Sequence, residues 1–403
     1  MKILGGALAL LLAAGSPSWA GLPDAGWSSA IATPFPLPVI PPPAAVLPPF
    51  AALPPVSFVS FKGLSIKGVQ FSRTDRIPQS LVAAIDKTDK TLILAVYDLQ
   101  LSEVADALLR AKARGVQIRM VYDMGHATGS SGASPEYQSL VSAGVPVRLL
   151  KGGGSFGIMH NKFAVFDGAL LETGSFNWTR AADDKNFENA LFRDDAALIE
   201  GYARYWDWMW NLASPVGAAA APVTGAGLGA PPSDPLRPVS FAGGNYPRYA
   251  FSPEGGVEDL IVDALGRARS SIDMAIFSLY SQRVADAVIA AKQRGVTVRV
   301  VCDMSQSRRS TAVLSLSKAG VPLRISAGRD GTGVLHHKFV VVDGALLITG
   351  SYNFSQNAEL FNFENDLFTT APGEAFAYGA ELSAVWAQAH APDPSELPAP
   401  KSL

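Results

Sequence analysis

The chain has 403 residues, with 33 Lys and Arg against 35 Asp and Glu, a net charge of −2. The length suggests two to three domains, and the near-neutral balance argues against a dedicated nucleic-acid binder, whose surface is usually basic. A single cysteine, Cys302, excludes any intrachain disulfide.

In chain order, residues 1–20 have the form of a secretory signal. Lys2 starts it, an apolar run "ILGGALALLLAA" follows, and Ser18-Trp19-Ala20 supplies the small-residue cleavage site. The apolar run is too short to span a bilayer. The expectation is a secreted or periplasmic protein; removing Lys2 with the signal leaves 32 basic residues against 35 acidic. Residues 21–56 are dense in proline from position 33 and read as an extended linker. A first domain is expected over 57–212, an Ala/Gly/Pro linker over 213–238, a second domain over 239–390 and a disordered tail over 391–403.

The two domains are copies of one another. "VADALLRAKARGVQIRMVYDM" matches "VADAVIAAKQRGVTVRVVCDM" at an offset of 180, which falls to 176 by Ala143 and Ala319. The first copy therefore carries four extra residues, in a Gly/Ser-rich loop around "GHATGSSGAS". Apolar runs at 91–97 and 117–122 read as buried strands, and between them Val104, Ala105, Ala107, Leu108 and Leu109 recur at helical spacing, closed by Arg114-Gly115. Strands "NKFAVFD" and "ALLETG" meet around Gly168, a helix starts after Asn177, and "LIEGYARYWDWMW" forms another. The coarse pattern β-α-β-α-β-β-α in each copy predicts an α/β fold with mostly parallel sheets covered by helices. Cys302, in "VRVVCDM", reads as a core thiol. Of Trp206, Trp208 and Trp210 only the last has a counterpart, Trp386, which marks it as core and leaves the other two open to lipid contact.

The most specific feature is a pattern present in both copies. His160-x-Lys162 is followed after four residues by Asp167, and after six more by Gly174-Ser175-x-Asn177. His336, Lys338, Asp343, Gly350, Ser351 and Asn353 repeat it 176 residues on. Each copy then ends in "NFEN", putting Glu188 and Glu364 thirteen residues past the serines. Six fixed residues arise by chance about once in 10^8 start points. In an extended segment His and Lys two apart point the same way, so a nucleophile or acid stands beside a positive charge. Ser and Asn on the next turn add donors. Such a set suits a phosphoryl group, whose transfer depends on positioning and on neutralising oxygen charge. His337 should face away from His336, and the unmatched His126 and His390 are expected to be solvated. No HExxH or CxxC spacing occurs, so neither a metal site nor a cofactor is expected.

Both stretches resemble the HKD motif of the phospholipase D superfamily, and the endings "TGSFNWTRAADDKNFEN" and "TGSYNFSQNAELFNFEN" are similar to its compact bacterial branch of phospholipase D-like enzymes and nucleases. The resemblance covers about three quarters of the chain. It implies two α-β-α sandwich halves packed about a pseudo-twofold axis in one chain, both motifs meeting at one site in a monomer. It further implies His160 as nucleophile and His336 as general acid, then base. Lys162, Lys338, Asn177, Asn353, Ser175 and Ser351 would hold the phosphate. Glu188 and Glu364 would orient the imidazoles, and Asp167 and Asp343 would be structural or support these residues from behind. The expected substrate is a phosphatidylcholine-like phospholipid, with transient contact to a membrane surface; nucleic acid or transfer to an alcohol are the alternatives.

Overall fold

The computed structural model describes residues 57–130, 132–218 and 229–399. The signal segment 1–20 and the linker 21–56 lie outside the described residues. In the first half the elements are β1 (Val69–Phe71), α1 (Ile77–Lys87), β2 (Thr91–Val96), α2 (Ser102–Ala113), β3 (Gln117–Asp123), α3 (Pro135–Ser142), β4 (Val147–Leu150), β5 (Lys162–Phe166), β6 (Leu170–Gly174), β7 (Asn189–Arg193) and α4 (Ala196–Leu212). The second half repeats them as β8 (Tyr249–Ser252), α5 (Val257–Gly266), β9 (Ser271–Ile276), α6 (Gln282–Gln293), β10 (Thr297–Asp303), α7 (Thr311–Lys318), β11 (Leu323–Ser326), β12 (Lys338–Val342), β13 (Leu346–Gly350), β14 (Glu364–Thr369) and α8 (Pro372–Gln388).

Beside a small two-stranded hairpin, each half builds a main sheet in the same order, β4-β3-β2-β5-β6-β7-β1 in the first, where a short strand at Ser214–Pro215 adds to the β4 edge, and β11-β10-β9-β12-β13-β14-β8 in the second. Only the β2/β3/β4 and β9/β10/β11 pairings are parallel. The rest are antiparallel, so the sheets are mixed and not mostly parallel as expected. The reason is local. Asp167 and Gly168 both have positive φ (51° and 63°), as do Asp343 and Gly344 (54° and 62°). A two-residue Asp-Gly turn of that kind returns the chain antiparallel to itself. Three strands in each copy, those holding Val69, Val147 and Asn189 in the first, were absent from the sequence pattern.

The helices follow their apolar stripes. In α2, Val104, Ala105, Ala107, Leu108 and Ala111 are buried, and the helix ends before Gly115 at φ +91°. Its counterpart α6 buries Val284, Ala285, Val288 and Ala291, and Ser281 caps it through Val284 N–H. These helices cover the outer face of each sheet. The inner faces enclose a third core shared by both halves, with α4 and α8 inside it. Helix α4 packs on β2–β5 and reaches β8 of the other half; α8 packs on β9–β13 and reaches β1. Reciprocal contacts of this kind are those of a pseudo-twofold pair.

Trp206 belongs to this core. It is fully buried and its indole N–H donates to Leu94 O at 2.6 Å, while Trp208 stacks on Tyr205 at 5.8 Å, so Trp206 is not a lipid contact. Cys302 is buried, and burial pushes its thiol well up, as expected of an inert core thiol. The linker expected from 213 begins as sheet, with Ser214 paired to Leu149; residues 219–228 lie outside the described residues. The tail expected to be disordered is ordered to 399, with a 3-10 turn at Pro394–Glu396 whose Glu396 contacts the His390 ring at 3.0 Å.

Candidate functional site

The two motif histidines come together from opposite halves, their ring centroids 6.5 Å apart. What brings them there is a pair of crossed backbone contacts. His160 N–H donates to Phe363 O and Phe363 N–H to Ile158 O, at 3.0 and 2.9 Å. In the mirror contact, His336 N–H donates to Phe187 O and Phe187 N–H to Val334 O, both at 3.0 Å. Backbone must approach backbone closely for this. A Cβ on Gly152 would lie 2.4 Å from Phe361 O, and one on Gly333 2.2 Å from Lys185 O.

Because Glu364 follows Phe363, it lands beside the histidine of the other half. His160 Nδ1–H donates to Glu364 Oε1 and Oε2 at 2.9 and 2.8 Å, and His336 Nδ1–H to Glu188 Oε2 at 2.9 Å. A carboxylate only accepts, so Nδ1 carries the proton and Nε2 is left with a lone pair. Each half's glutamate thus completes the other half's histidine, and neither half alone holds a complete site.

The remaining residues support these pairs. Ser175 Oγ donates to Glu188 Oε2 at 2.7 Å and Ser351 Oγ to Glu364 Oε2 at 2.6 Å. Both serines are fully buried, so they brace the glutamates, which corrects their expected place on the phosphate. Lys162 and Lys338 are also fully buried, each donating to the carbonyl of its own motif histidine and lying 4.8 and 4.9 Å from the ring centroids of Tyr97 and Phe277. Asn177 and Asn353 are half-buried, and their side-chain oxygens are buried without a hydrogen bond among the described residues; toward a phosphate it is their amide nitrogens that can donate.

Asp167 and Asp343 do not belong to the site. They lie at the far ends of β5 and β12, about 16 Å along the strand from the lysines. Asp167 accepts the N–H groups of Lys90 and Thr91, both at 2.8 Å, and Asp343 those of Ser270 and Ser271 at 2.7 and 2.9 Å. They fix the hairpin turn to the start of the neighbouring strand.

His337 faces away from His336, as alternation requires, into the inter-half core, where the Asn189 amide donates to its Nδ1 at 3.0 Å. His126 is not simply solvated, since its ring meets Tyr97 at 4.4 Å. Two positioning residues escaped the sequence reading. Buried Asp123 accepts Met159 N–H, and buried Asp303 accepts Leu335 N–H, each at 3.0 Å, steadying the residue before each histidine. Their signal was the repeated "DM" of "VYDM" and "VCDM". Asn186 and Asn362 were also missed; Asn362 donates to Glu364 Oε1 at 2.9 Å and accepts Ile158 N–H at 3.2 Å.

Burial dominates the electrostatics. It lowers His160 to about 3 and His336 to about 4, against the raising influence of Glu364 and Glu188. It also lowers Lys162 and Lys338 to about 7. Burial alone would raise the glutamates, but their histidine and lysine partners outweigh it and hold them below the ordinary value. Near pH 6 the cluster is therefore two neutral imidazoles, two ammoniums and two carboxylates. Among the described residues no group of three or more His, Cys, Asp and Glu is arranged to hold a metal ion.

These values define a pH window. The histidines are neutral above about 4, and the lysines are charged below about 7. For bis(p-nitrophenyl) phosphate, whose leaving group needs no proton, kcat/KM should be highest between those limits and fall as the pH rises through about 7. An alkaline limb lying instead near pH 10 would show that the lysines keep their ordinary affinity for protons.

Comparison with known proteins agrees with the geometry. Residues 81–210 and 261–386 both match the family described as cardiolipin synthase, PLD-like domain. The chain belongs to the phospholipase D-like family. Among phospholipase D-like relatives, the mitochondrial cardiolipin hydrolase of Xenopus tropicalis is 34% identical over 142 residues, 35% of this chain and 65% of that protein. The phospholipase D of Rickettsia conorii is 34% identical over 122 residues, 30% of this chain and 58% of that protein. The chain thus spans less than two thirds of the length of these relatives. The solved phosphatidylserine synthase of Haemophilus influenzae shares the fold, with a TM-score of 0.60 and 13% identity over 80% of this chain and 86% of that one.

Proposed function

We propose that the protein is a phosphodiesterase of phospholipase D type, hydrolysing phosphatidylcholine-like phospholipids to phosphatidate and the head-group alcohol. The observation that carries this reading is the pair of imidazoles 6.5 Å apart, each with Nδ1 held by the other half's glutamate. One Nε2 attacks phosphorus to form a phosphohistidine while the other imidazole, charged by the approach of the anionic diester, protonates the leaving alkoxide. The second imidazole then takes a proton from water as that water displaces the enzyme. The resemblance assigns the attack to His160. Lys162, Lys338, Asn177 and Asn353 hold the non-bridging oxygens, the lysines serving where a divalent ion otherwise would. One chain, holding both halves, is sufficient, and residues 1–20 serve for export to the periplasm or beyond.

Two exposed aromatic rings support a lipid substrate. Phe156, 83% exposed, lies on the loop leading into His160, and Phe361 of the other half, 38% exposed, is tied to that loop through Gly153 N–H. Full burial of an exposed Phe ring contributes ~1.5–3 kcal/mol, and partial insertion into a lipid surface a fraction of that. Phe156→Ser is expected to lower activity on vesicles about tenfold while leaving a soluble diester unaffected; equal losses on both would remove this support.

The deciding experiment incubates the purified protein in EDTA with phosphatidylcholine vesicles and, separately, with plasmid and single-stranded DNA. Choline release without nicking is expected. Nicking without choline release overturns the lipid reading in favour of a nuclease, and phosphatidyl transfer to added alcohol in place of release points to a transferase. Loss of all activity in EDTA would count against the role given to the lysines.

A further inference from the structure

Behind the reaction centre a polar chain joins the two halves. Glu188 and Asn189 are successive residues at the entry to β7, so their side chains point to opposite faces, and each meets one of two successive residues of the other half. Glu188 holds His336 Nδ1 from the front at 2.9 Å, and the Asn189 amide donates to His337 Nδ1 from the rear at 3.0 Å. That amide is fixed in orientation, because its oxygen accepts Tyr378 O–H at 2.9 Å. His337 Nδ1 is therefore an acceptor, and the ring carries its proton on Nε2. Nε2 faces Glu381 Oε1 at 3.5 Å, and Arg73 of the first half grips the same carboxylate through Nε at 3.1 Å and Nη2 at 2.8 Å. Asn189, His337 and Glu381 are all buried. Burial alone would raise the Glu381 carboxyl, but His337 and Arg73 outweigh it and hold it below its ordinary value.

The duplication supplies an internal comparison. In the first half Asn365 donates to Asn161 Oδ1 at 2.8 Å, and Tyr202 O–H donates to Asn365 Oδ1 at 2.9 Å. Asn189 and Asn365 thus make the same grip twice, each on the residue that follows the other half's motif histidine. The charges do not repeat. Asn161 stands in the place of His337, Tyr205 in that of Glu381 and Pro253 in that of Arg73. The neutral version is complete in itself, Asn161 donating to Tyr205 Oη at 3.3 Å and Tyr205 O–H to Ser252 O at 2.8 Å. Neutral residues therefore suffice to close this part of the interface. Burying a carboxylate costs desolvation, so packing alone does not account for the charged chain behind His336.

The reaction separates the two histidines in the same sense. Once His160 is bonded to phosphorus, that bond keeps it in place. His336 stays free through two proton transfers, gaining and losing a charge, and only the protein holds it. A displacement of about 1 Å can cost about 10²-fold in rate. We propose that Asn189 and the His337–Glu381–Arg73 chain are positioning residues for His336, bracing it from behind for its acid and base steps. The assignment rests on the phosphodiesterase reading above and gives a physical reason for two nearly identical motifs to take different roles.

The test uses the full chain and bis(p-nitrophenyl) phosphate. It compares wild type with His337→Asn, which installs the first half's residue, and with Glu381→Gln, which keeps the shape and removes the charge. Release of p-nitrophenol in a single turnover with enzyme in excess reports the attack by His160, whereas the steady rate includes the water step through His336. Both variants should keep the first within about twofold and lower the second at least about tenfold, with phosphoenzyme accumulating. Nitrogen NMR spectra of histidine-labelled wild type should show His337 as the Nε2–H tautomer. Losses in the single turnover equal to or larger than those in the steady rate, as instability alone would give, overturn the brace while leaving the phosphodiesterase intact. So does an unchanged steady rate, or an Nδ1–H tautomer of His337. A wild type inactive on the diester overturns the phosphodiesterase itself, and the role of the brace with it.

Discussion

Replacing His160 by alanine is expected to lower turnover of any diester by at least about 10^4-fold, equivalent to about 5.5 kcal/mol of lost transition-state stabilisation. The one other unprotonated nitrogen near the phosphorus position is His336 Nε2, which is assigned to the leaving group, while Lys162 and Lys338 are charged below about pH 7 and the glutamates are engaged by the histidines. His336→Ala should behave differently with the leaving group. With p-nitrophenolate departing, the first step needs no acid, so this variant should release about one equivalent of p-nitrophenol in a burst and then stall. The stalled protein should carry acid-labile phosphate, as a phosphohistidine does. With an alkyl leaving group, as in a lipid, both variants should be silent. A burst from His160→Ala and none from His336→Ala would exchange the two roles. Full steady turnover in either would dismiss a covalent route through these imidazoles.

The parts of this site that sequence made legible are those whose chemistry is local. His160 and Lys162 are two residues apart, so alternation along a strand alone puts them on one side, and the same rule turned His337 inward. Duplication then paired the motifs, and the apolar stripe of the helix at Ser102–Ala113 could be read from Val104, Ala107, Leu108 and Ala111. What could not be read depends on segments far apart in the chain. Nothing in "NFEN" says that Glu188 serves His336, because that follows from the contact of Phe187 with Val334, 147 residues away. The serines were misassigned for a related reason. Their position after a strand suggested a turn open to the phosphate, whereas β7 and β14 cover them and present a glutamate at hydrogen-bond distance. The expected parallel sheet failed at the Asp167-Gly168 and Asp343-Gly344 turns, whose dipeptides already favour a hairpin. A tight Asp-Gly turn between two strands takes precedence over the helical crossover that a parallel pair needs.

The crossed glutamates make the second large prediction. Glu364→Gln removes the charge that stabilises the imidazolium character His160 acquires as it bonds to phosphorus, and losing such a partner typically costs 10–100-fold. Glu188→Gln removes the same support from His336, the acid and then base. If His160 is the nucleophile, Glu364→Gln should suppress the p-nitrophenol burst, whereas Glu188→Gln should retain the burst and slow the hydrolysis that follows. Each variant thus reproduces the defect of the histidine in the other half of the molecule, 204 residues away for Glu364 and 148 for Glu188. Thermal unfolding should be recorded alongside, since Asn362 donates to Glu364 and Asn186 to Glu188, and a glutamine must accommodate that donor. A merely unstable protein would lose burst and steady rate together, in proportion to the folded fraction. Defects that tracked the histidine of the same half would contradict the crossing, because a glutamate serving its own motif has no need of the contacts through Phe187 and Phe363. The same logic predicts that either half expressed alone is inactive, its imidazole left without the carboxylate that orients it.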